Sequence, residues 1–288
     1  MSSLLLSALL VSAQTKIVPQ MKKGMKKTYV TEASISMESK QPVTVTCETI
    51  YEVTDETADG YILDVLISDV KTDAKNAESR IYSLATEMLK GIHTKYATDK
   101  DGQVTKVFQT DDVEKRVEGM LDKLLDGVSL PEGTTTSDMK RQLKEQVNEK
   151  NLLESLHIGT SPLALNGKTI STGTEEEYLN QSNLKGMKMK RIYTVNENGS
   201  ITSSANINMD AEDISKLFSN MLDSFAPVEI DDSALAGLKS LFENANLQCS
   251  EQSTYSFAKD GWVKNITAEM KTSAMGMSMS MKSKVTQK

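Results

Sequence analysis

Short segments in which apolar and polar residues alternate one by one recur along most of this 288-residue chain. Because successive side chains of a β-strand point to opposite faces, this alternation predicts strands with one buried face. Turn residues such as Asp59-Gly60, Asp101-Gly102 and Asn198-Gly199 separate several of these segments and favour hairpins. The predicted strands are 29–37, 43–53, 61–70, 94–98, 104–108, 169–179, 187–195, 200–209, 249–257 and 262–285. We therefore expect a large antiparallel sheet.

Between the predicted strands, apolar residues recur at spacings of three and four, which is typical of amphipathic helices. The clearest apolar stripe belongs to the fourth predicted helix and consists of Ile214, Leu217, Phe218, Met221, Leu222 and Phe225. Strands and helices come in groups and do not alternate one by one, so a parallel sheet is not expected. The predicted fold class is α+β, with a curved, half-barrel-like antiparallel β-sheet and about five helices packed on its concave face.

The first thirteen residues, MSSLLLSALLVSA, are uncharged and contain an apolar run from Leu4 to Val11. Small residues before Gln14 fit cleavage by signal peptidase between Ala13 and Gln14. We therefore expect a signal peptide at 1–13 and a periplasmic or secreted protein. No Lys or Arg precedes the apolar run, so Met1 could be internal to a longer open reading frame. Residues 14–288 are expected to form a single α+β domain, with a pseudo-duplication near 157–168.

Export would place Cys47 and Cys249 in an oxidising compartment, where a disulfide between them could form. Each cysteine also shares the parity of apolar residues in its predicted strand. A free cysteine behaves as a small hydrophobic residue and fits such a face equally well. The sequence leaves both alternatives open.

The composition excludes several classes of function. Lys and Arg number 33 against 40 Asp and Glu, a net charge of −7, which argues against non-specific binding of nucleic acid. Two His and two Cys are too few for a structural zinc scaffold. No apolar run reaches the 18 residues of a transmembrane helix, and no motif of the common hydrolases, metalloproteases or nucleotide-binding folds is present. We expect a non-enzymatic protein with no catalytic residue, cofactor or metal site.

The C-terminal region contains a methionine at every second position, at Met275, Met277, Met279 and Met281. In a strand these four side chains share one face. Three interpretations remain: ordinary core packing, the lining of an adaptable apolar cavity, or coordination of Cu(I) by soft thioethers. In the cavity interpretation the ladder faces the fourth helix through Ile214, Phe218, Met221 and Phe225.

The methionine ladder has a parity opposite to that of the residues upstream of it in the same predicted strand. Ile266, Ala268 and Met270 are even-numbered, whereas the ladder is odd-numbered. A bulge near 272–274 would shift the register by one residue and keep all of them on one face.

Four short segments carry a resemblance to known families. They are the start Lys22-Lys23-Gly24-Met25-Lys26-Lys27-Thr28-Tyr29, the strand end Tyr51-Glu52-Val53, the turn Asp59-Gly60-Tyr61 and the closing hairpin Phe257-Ala-Lys-Asp-Gly-Trp262. In these segments the chain resembles secreted Bacteroidota-type families of unknown function. The expected architecture is similar to that of the lipoprotein-carrier half-barrels (LolA-like and LppX-like), in which a curved antiparallel sheet cups helices around a lipid cavity. The resemblance implies a lipid-binding fold and no catalytic residue.

The predicted function is that of an exported, non-enzymatic binding protein. It is expected to hold a hydrophobic or acyl ligand, or an envelope protein, between the sheet and the helices. A structural or interaction module of the cell envelope without a ligand is the alternative. Cu(I) binding through the C-terminal methionines is a lesser alternative.

Overall fold

A computed structural model describes residues 14–37, 41–73, 89–108, 160–180, 187–208, 248–274 and 277–288, together with isolated positions between 113 and 156. The predicted signal peptide lies outside these residues. The described part contains thirteen strands in one sheet of eleven strands and one of two. The strands are β1 (Thr15–Lys16), β2 (Lys26–Met37), β3 (Val43–Glu56), β4 (Gly60–Thr72), β5 (His93–Asp99), β6 (Val104–Phe108), β7 (Thr169–Ile170), β8 (Glu175–Asn180), β9 (Met187–Val195), β10 (Ile201–Asn208), β11 (Gln248–Phe257), β12 (Val263–Ala274) and β13 (Met277–Gln287).

The large sheet has the order β6-β5-β4-β3-β2-β13-β12-β11-β10-β9-β8, and all its neighbouring strands are antiparallel. It consists of two meanders, one from β2 to β6 and one from β8 to β13. The meanders join where β2 pairs with β13, in a register that runs from Tyr29 opposite Gln287 to Met37 opposite Met279. The antiparallel sheet that the alternation predicts is therefore present.

The predicted α+β class, with about five helices on a concave face, is wrong for the described part of the chain. The elements defined in the continuous ranges given above are all strands, and strand and loop segments supply the buried core cluster there. Spacings of three and four indicate an amphipathic segment but do not say which surface that segment covers, which is why the prediction failed. None of the helical segments described is long and apolar enough to cross a membrane. The single domain over 14–288 and the pseudo-duplication near 157–168 stay predictions.

Two predicted strands are in fact pairs of strands. Segment 169–179 is divided into β7 and β8 by a turn in which Gly173 has a φ of 86°. Segment 262–285 is divided into β12 and β13, and Ala274 lies directly opposite Met277 across the hairpin. The bulge predicted near 272–274 is therefore wrong, because the hairpin itself brings the even residues of β12 and the odd residues of β13 to one face.

The buried core lies at one end of the large sheet, where strands of both meanders contribute side chains to the same face. Fully buried members of this group are Tyr29, Val53, Leu63, Ile201, Tyr255, Ile266 and Val285. Residues 14–25 and 160–174 cover them through apolar side chains, among which Ile17, Leu163 and Ile170 are at most 4% exposed. The small sheet of β1 and β7 ties these two covering segments together, with Thr15 opposite Ile170.

Trp262 fastens the N-terminal segment to the end of the sheet. Its side chain is 1% exposed, and its indole Nε1 donates a hydrogen bond of 2.8 Å to the carbonyl oxygen of Gln20. The backbone nitrogen of Gln20 donates in turn to the carbonyl oxygen of Asp260 at 2.7 Å. Lys27 Nζ lies 5.9 Å from the centre of the Trp262 ring and forms a 2.6 Å ion pair with Asp260. Because these contacts join distant parts of the sequence, they close this end of the core.

Gly261 allows the N-terminal segment to pass close to this turn. Its φ is +79°, and a Cβ atom there would lie 2.4 Å from the carbonyl oxygen of Val18. Gly261→Ala should therefore cost about 1–2 kcal/mol for left-handed backbone and about 1–3 kcal/mol more for overpacking. Gly199→Ala is the matched control, because Gly199 has a φ of +77° but no heavy atom within 4 Å of the added Cβ. Urea denaturation would measure the free energy of unfolding of both variants. Equal losses of stability in the two would contradict the close approach of the Val18 carbonyl oxygen to Gly261.

Candidate functional site

One face of the large sheet carries both the buried core and the predicted methionine ladder. We call it the core face, because Tyr29 and Val285 lie on it. Residues directly opposite each other in an antiparallel pair point to the same face, so the register assigns the remaining positions. Met281 lies opposite Ile35 and Met270, and Met279 lies opposite Met37. Met281 is therefore flanked by apolar residues of both neighbouring strands, whereas Met279 has Thr272 opposite it on β12.

We call the apolar part of the core face beyond the closed core the methionine face. Its members are Ile35, Val43, Val45, Met270, Met279 and Met281. Those whose burial is described are half-buried, whereas Ile266 and Val285 of the same strands are 0% exposed. The same face of β12 and β13 thus changes from a closed core to an apolar surface that solvent still reaches.

The structure places only part of the predicted binding site. Met277, Met279 and Met281 share the core face. Met275 and the helix-four residues Ile214, Phe218, Met221 and Phe225 lie outside the described residues, so their part in ligand binding stays a prediction. The sequence predicts one bulged strand here, and such a strand does not place Met270 directly opposite Met281. The pair Met275-Gly276 was the available turn signal.

Cys47 and Cys249 are free cysteines in β3 and β11. Four strand steps separate them, which corresponds to about 19 Å along the sheet. A disulfide requires Cα atoms within about 7 Å. The disulfide that the sequence left open is therefore not formed, and both thiols occupy the core face as small hydrophobic groups.

A buried ion pair lies on the core face beside the methionine face. Arg191 of β9 has a side chain that is 1% exposed, and its Nη2 donates to Glu251 Oε1 of β11 at 2.8 Å. The intervening strand β10 contributes Ala205 opposite both residues, and its small side chain lets them meet. Ser253 Oγ donates to the same oxygen of Glu251 at 3.3 Å. Hydrogen bonds to the carboxylate are what make the burial of such a pair tolerable.

A second carboxylate on the core face belongs to Glu176 of β8, which lies opposite Arg191 and has a side chain that is 34% exposed. The Tyr193 hydroxyl donates to Glu176 Oε2 at 2.6 Å, and Lys168 Nζ donates to Oε1 and Oε2 at 2.6 and 2.9 Å. Burial alone would raise the pKa of Glu176, but the hydrogen bonds from Lys168 and Tyr193 and the nearby positive charges outweigh it and lower the pKa. Burial and the Glu176 carboxylate raise the pKa of Tyr193. The arrangement holds Glu176 ionised and Tyr193 neutral.

Glu176 should contribute to the loss of stability in acid. A lowered pKa in the folded state means that the stabilisation is present above the ordinary pKa of 4.5 and is lost as the pH falls through the folded value. Glu176→Gln should therefore be less stable than the wild type at pH 7 and lose less stability between pH 5 and pH 3, as measured by urea denaturation. Glu197→Gln, at an exposed turn position, is the control. An unchanged acid response in Glu176→Gln would argue against this role.

The opposite face of the sheet carries a polar groove with a volume of about 600 Å³. Thr, Ser, Gln, Glu and Lys side chains dominate its lining, including Glu32, Thr44, Gln252, Glu269 and Lys282. Lys282 and Lys271 both approach Glu269, at 3.8 and 3.3 Å. This groove carries surface ion pairs, and it is separate from the methionine face.

Comparisons with known proteins give no family assignment. No family model matches the sequence, and no curated protein matches it. Among solved structures, lipovitellin, described under the words "lipid-protein interactions in lipovitellin", is similar with 8% identity and a TM-score of 0.43 over 93% of this chain. The chain spans 25% of that lipovitellin chain. A porin-like protein from Bacteroides uniformis aligns with 10% identity and a TM-score of 0.18, over 91% of this chain and 95% of that one. Both similarities are too low to support an argument about function.

Proposed function

We propose that this protein is an exported, non-enzymatic binding protein that holds an apolar or amphiphilic ligand on its methionine face. One observation carries the proposal: the core face changes, along the same strands, from a closed core to a half-buried apolar surface. Contiguous apolar surface that remains accessible is characteristic of binding sites. The apolar run within residues 1–13 supports export.

Methionine suits a surface that must accommodate ligands of varying shape. Its side chain is unbranched, has three rotatable bonds and ends in a polarizable thioether, so it can rearrange around different apolar groups. Burial of an acyl chain contributes about 0.8 kcal/mol for each methylene. Part of this is offset by the cost of immobilising the ligand. A medium-length chain would therefore bind without any polar contact.

The absence of catalysis is part of the proposal and rests on how the charged side chains are used. Arg191 of β9 forms an ion pair with Glu251 of β11 across β10, and Lys168 forms one with Glu176 of β8. Such pairs hold separate segments of the chain together. Their partners are other side chains of the fold, which supports a structural role for them.

Met279→Asp combined with Met281→Asp should abolish ligand binding, because an apolar ligand would strip water from the carboxylates, which costs more than the roughly 2–7 kcal/mol of an unpaired amide or hydroxyl. Displacement of the fluorescent probe N-phenyl-1-naphthylamine and native mass spectrometry of co-purified amphiphiles would measure this. Met279→Leu with Met281→Leu is the matched control and should retain probe binding, because these changes nearly conserve volume and apolarity. A folded aspartate variant that still binds the probe would rule the site out.

Cu(I) binding is a second candidate, and the register supports it. Met281 lies opposite Met270, and Met279 is two residues from Met281 on the same strand, so two strands contribute thioethers to one surface. Opposite Cβ atoms are about 4.5–5.5 Å apart, and thioethers select Cu(I). The leucine control separates the two functions: it should remove Cu(I) binding, measured by competition with bicinchoninate, and leave binding of the apolar probe intact. A protein that binds neither would be a structural or interaction module of the envelope.

A further inference from the structure

A single row of side chains across the core face changes from apolar to charged. Each residue of the row lies directly opposite the next one on the neighbouring strand. From β3 to β8 the row reads Val43, Ile35, Met281, Met270, Glu251, Ala205, Arg191 and Glu176. The boundary between the two halves lies between Met270 and Glu251.

The apolar half of the row has the length of a medium acyl chain. It extends over three strand steps, which corresponds to about 14 Å, close to the length of an extended dodecyl chain. Val43, Ile35, Met281 and Met270 are all half-buried, so solvent reaches the whole of this half. A chain lying across the strands from Val43 to Met270 would end beside Glu251.

The charge next to this boundary is the carboxylate. The Glu251 side chain is 13% exposed, whereas that of Arg191 is 1% exposed and lies on β9, two strands beyond Glu251. Arg191 and Ser253 both donate to Oε1 of Glu251, which fixes the orientation of the carboxylate. A group arriving from the methionine face therefore reaches Glu251 before it can reach Arg191.

We propose that Glu251 receives the head group of an amphiphile whose chain lies on the methionine face, and that this head group is a hydrogen-bond donor, with a cationic amine preferred. The proposal rests on the proposed function and specifies its ligand class. An ionised carboxylate can only accept hydrogen bonds, so it selects hydroxyl or ammonium groups. Charge-assisted bonds are the stronger ones, which favours an amine over an alcohol. An anionic head would be repelled by Glu251.

The test compares three probes that share a chain and differ in the head group: dodecylamine, dodecanol and dodecanoate. The affinity of each probe is measured by its displacement of N-phenyl-1-naphthylamine from the full-length protein, at pH 7 and at probe concentrations below micelle formation. We expect dodecylamine to bind at least about tenfold more tightly than dodecanoate, with dodecanol between them.

Two variants and a control assign the preference to Glu251. Glu251→Gln should remove the preference for the amine. Because this change leaves Arg191 buried beside a neutral group and could unfold the protein, Arg191→Met with Glu251→Met removes both charges together. The double variant should bind all three probes within about threefold of one another. Glu269→Gln, on the opposite face, should keep the wild-type preference.

The outcomes separate the two levels of the proposal. Equal affinities for the three probes in the wild type, or tightest binding of dodecanoate, would overturn the head-group assignment and leave apolar binding in place. A preference that persists in the double variant would overturn the role of Glu251. If none of the probes displaces the fluorophore, the proposed function fails, and the head-group assignment fails with it.

Discussion

Arg191→Met should lower the free energy of unfolding by about 3–5 kcal/mol, because it leaves a buried carboxylate without its cation. Arg191 is 1% exposed and forms a 2.8 Å ion pair with Glu251, which is itself only 13% exposed. Glu176, directly opposite Arg191 on β8, would also lose a nearby positive charge. The methionine side chain fills much of the vacated volume, so the loss is electrostatic in origin.

The double variant Arg191→Met with Glu251→Met is the control for this prediction. Replacing a whole buried ion pair by apolar residues is often neutral or stabilising, so it should recover most of the loss. Urea denaturation of the wild type, both single variants and the double variant would give the coupling energy of the pair. Additive losses in the two single variants would mean that the pair contributes no interaction of its own.

Trp262→Ala should also cost about 3–5 kcal/mol, because it opens a large cavity beneath the N-terminal segment. The side chain is 1% exposed and contacts the core cluster through its ring, and its Nε1 bonds to the Gln20 carbonyl oxygen. Losing the indole would therefore weaken both the packing and the attachment of residues 14–25. We expect these residues to become sensitive to proteolysis at temperatures where the rest of the protein is folded.

Two further variants separate the packing of the Trp262 ring from its hydrogen bond and provide a surface control. Trp262→Phe keeps most of the apolar volume and removes the donor to Gln20, so it should cost about 1–3 kcal/mol. Ile192→Ala removes an apolar side chain that is 42% exposed, and it should change stability by less than about 0.5 kcal/mol. Thermal and urea unfolding would rank the three variants. A Trp262→Ala protein as stable as Ile192→Ala would show that the N-terminal segment does not depend on the indole.

Strands could be predicted from the sequence wherever alternation has one buried face and a polar turn follows. Val104–Phe108 was predicted without error, and Val43–Glu56 was missed only by its last three residues. The hairpin between β12 and β13 was missed because its connection, Met275-Gly276, lacks the Asn or Asp that marks most tight turns. In the sequence, the methionine at every second position continues through this pair from Met275 to Met281.

The class of the fold could not be predicted, because helical periodicity is a local property. The stripe that includes Phe218 and Met221 indicates an amphipathic segment but not its partner surface. Much of the cover of the core comes from residues 17–25 and 160–168, for which no strand or helix is predicted. The long-range pairing of β1 with β7 and the hydrogen bonds of Ile17 with Gly167 and Lys168 hold these two segments together.

Only those features of the candidate site that depend on a single strand could be predicted from the sequence. The shared face of Met277, Met279 and Met281 follows from their spacing alone. The position of Met270 beside Met281, and of Glu251 beside Met270, depends on the registers of β12 with β13 and β11 with β12. A register depends on turn length and on packing across strands, and neither is visible in a single segment.

The seam between β2 and β13 sets the order in which the protein can be completed. Within each meander, every strand pairs with a neighbour in sequence. The second edge of β2, by contrast, pairs with β13, which is the last of the described strands to be synthesised. During synthesis on the ribosome, the N-terminal meander therefore presents a long unpaired edge. Such an edge is a template for pairing with other chains. We expect ribosome-bound intermediates of this protein to depend on holding chaperones until β13 emerges.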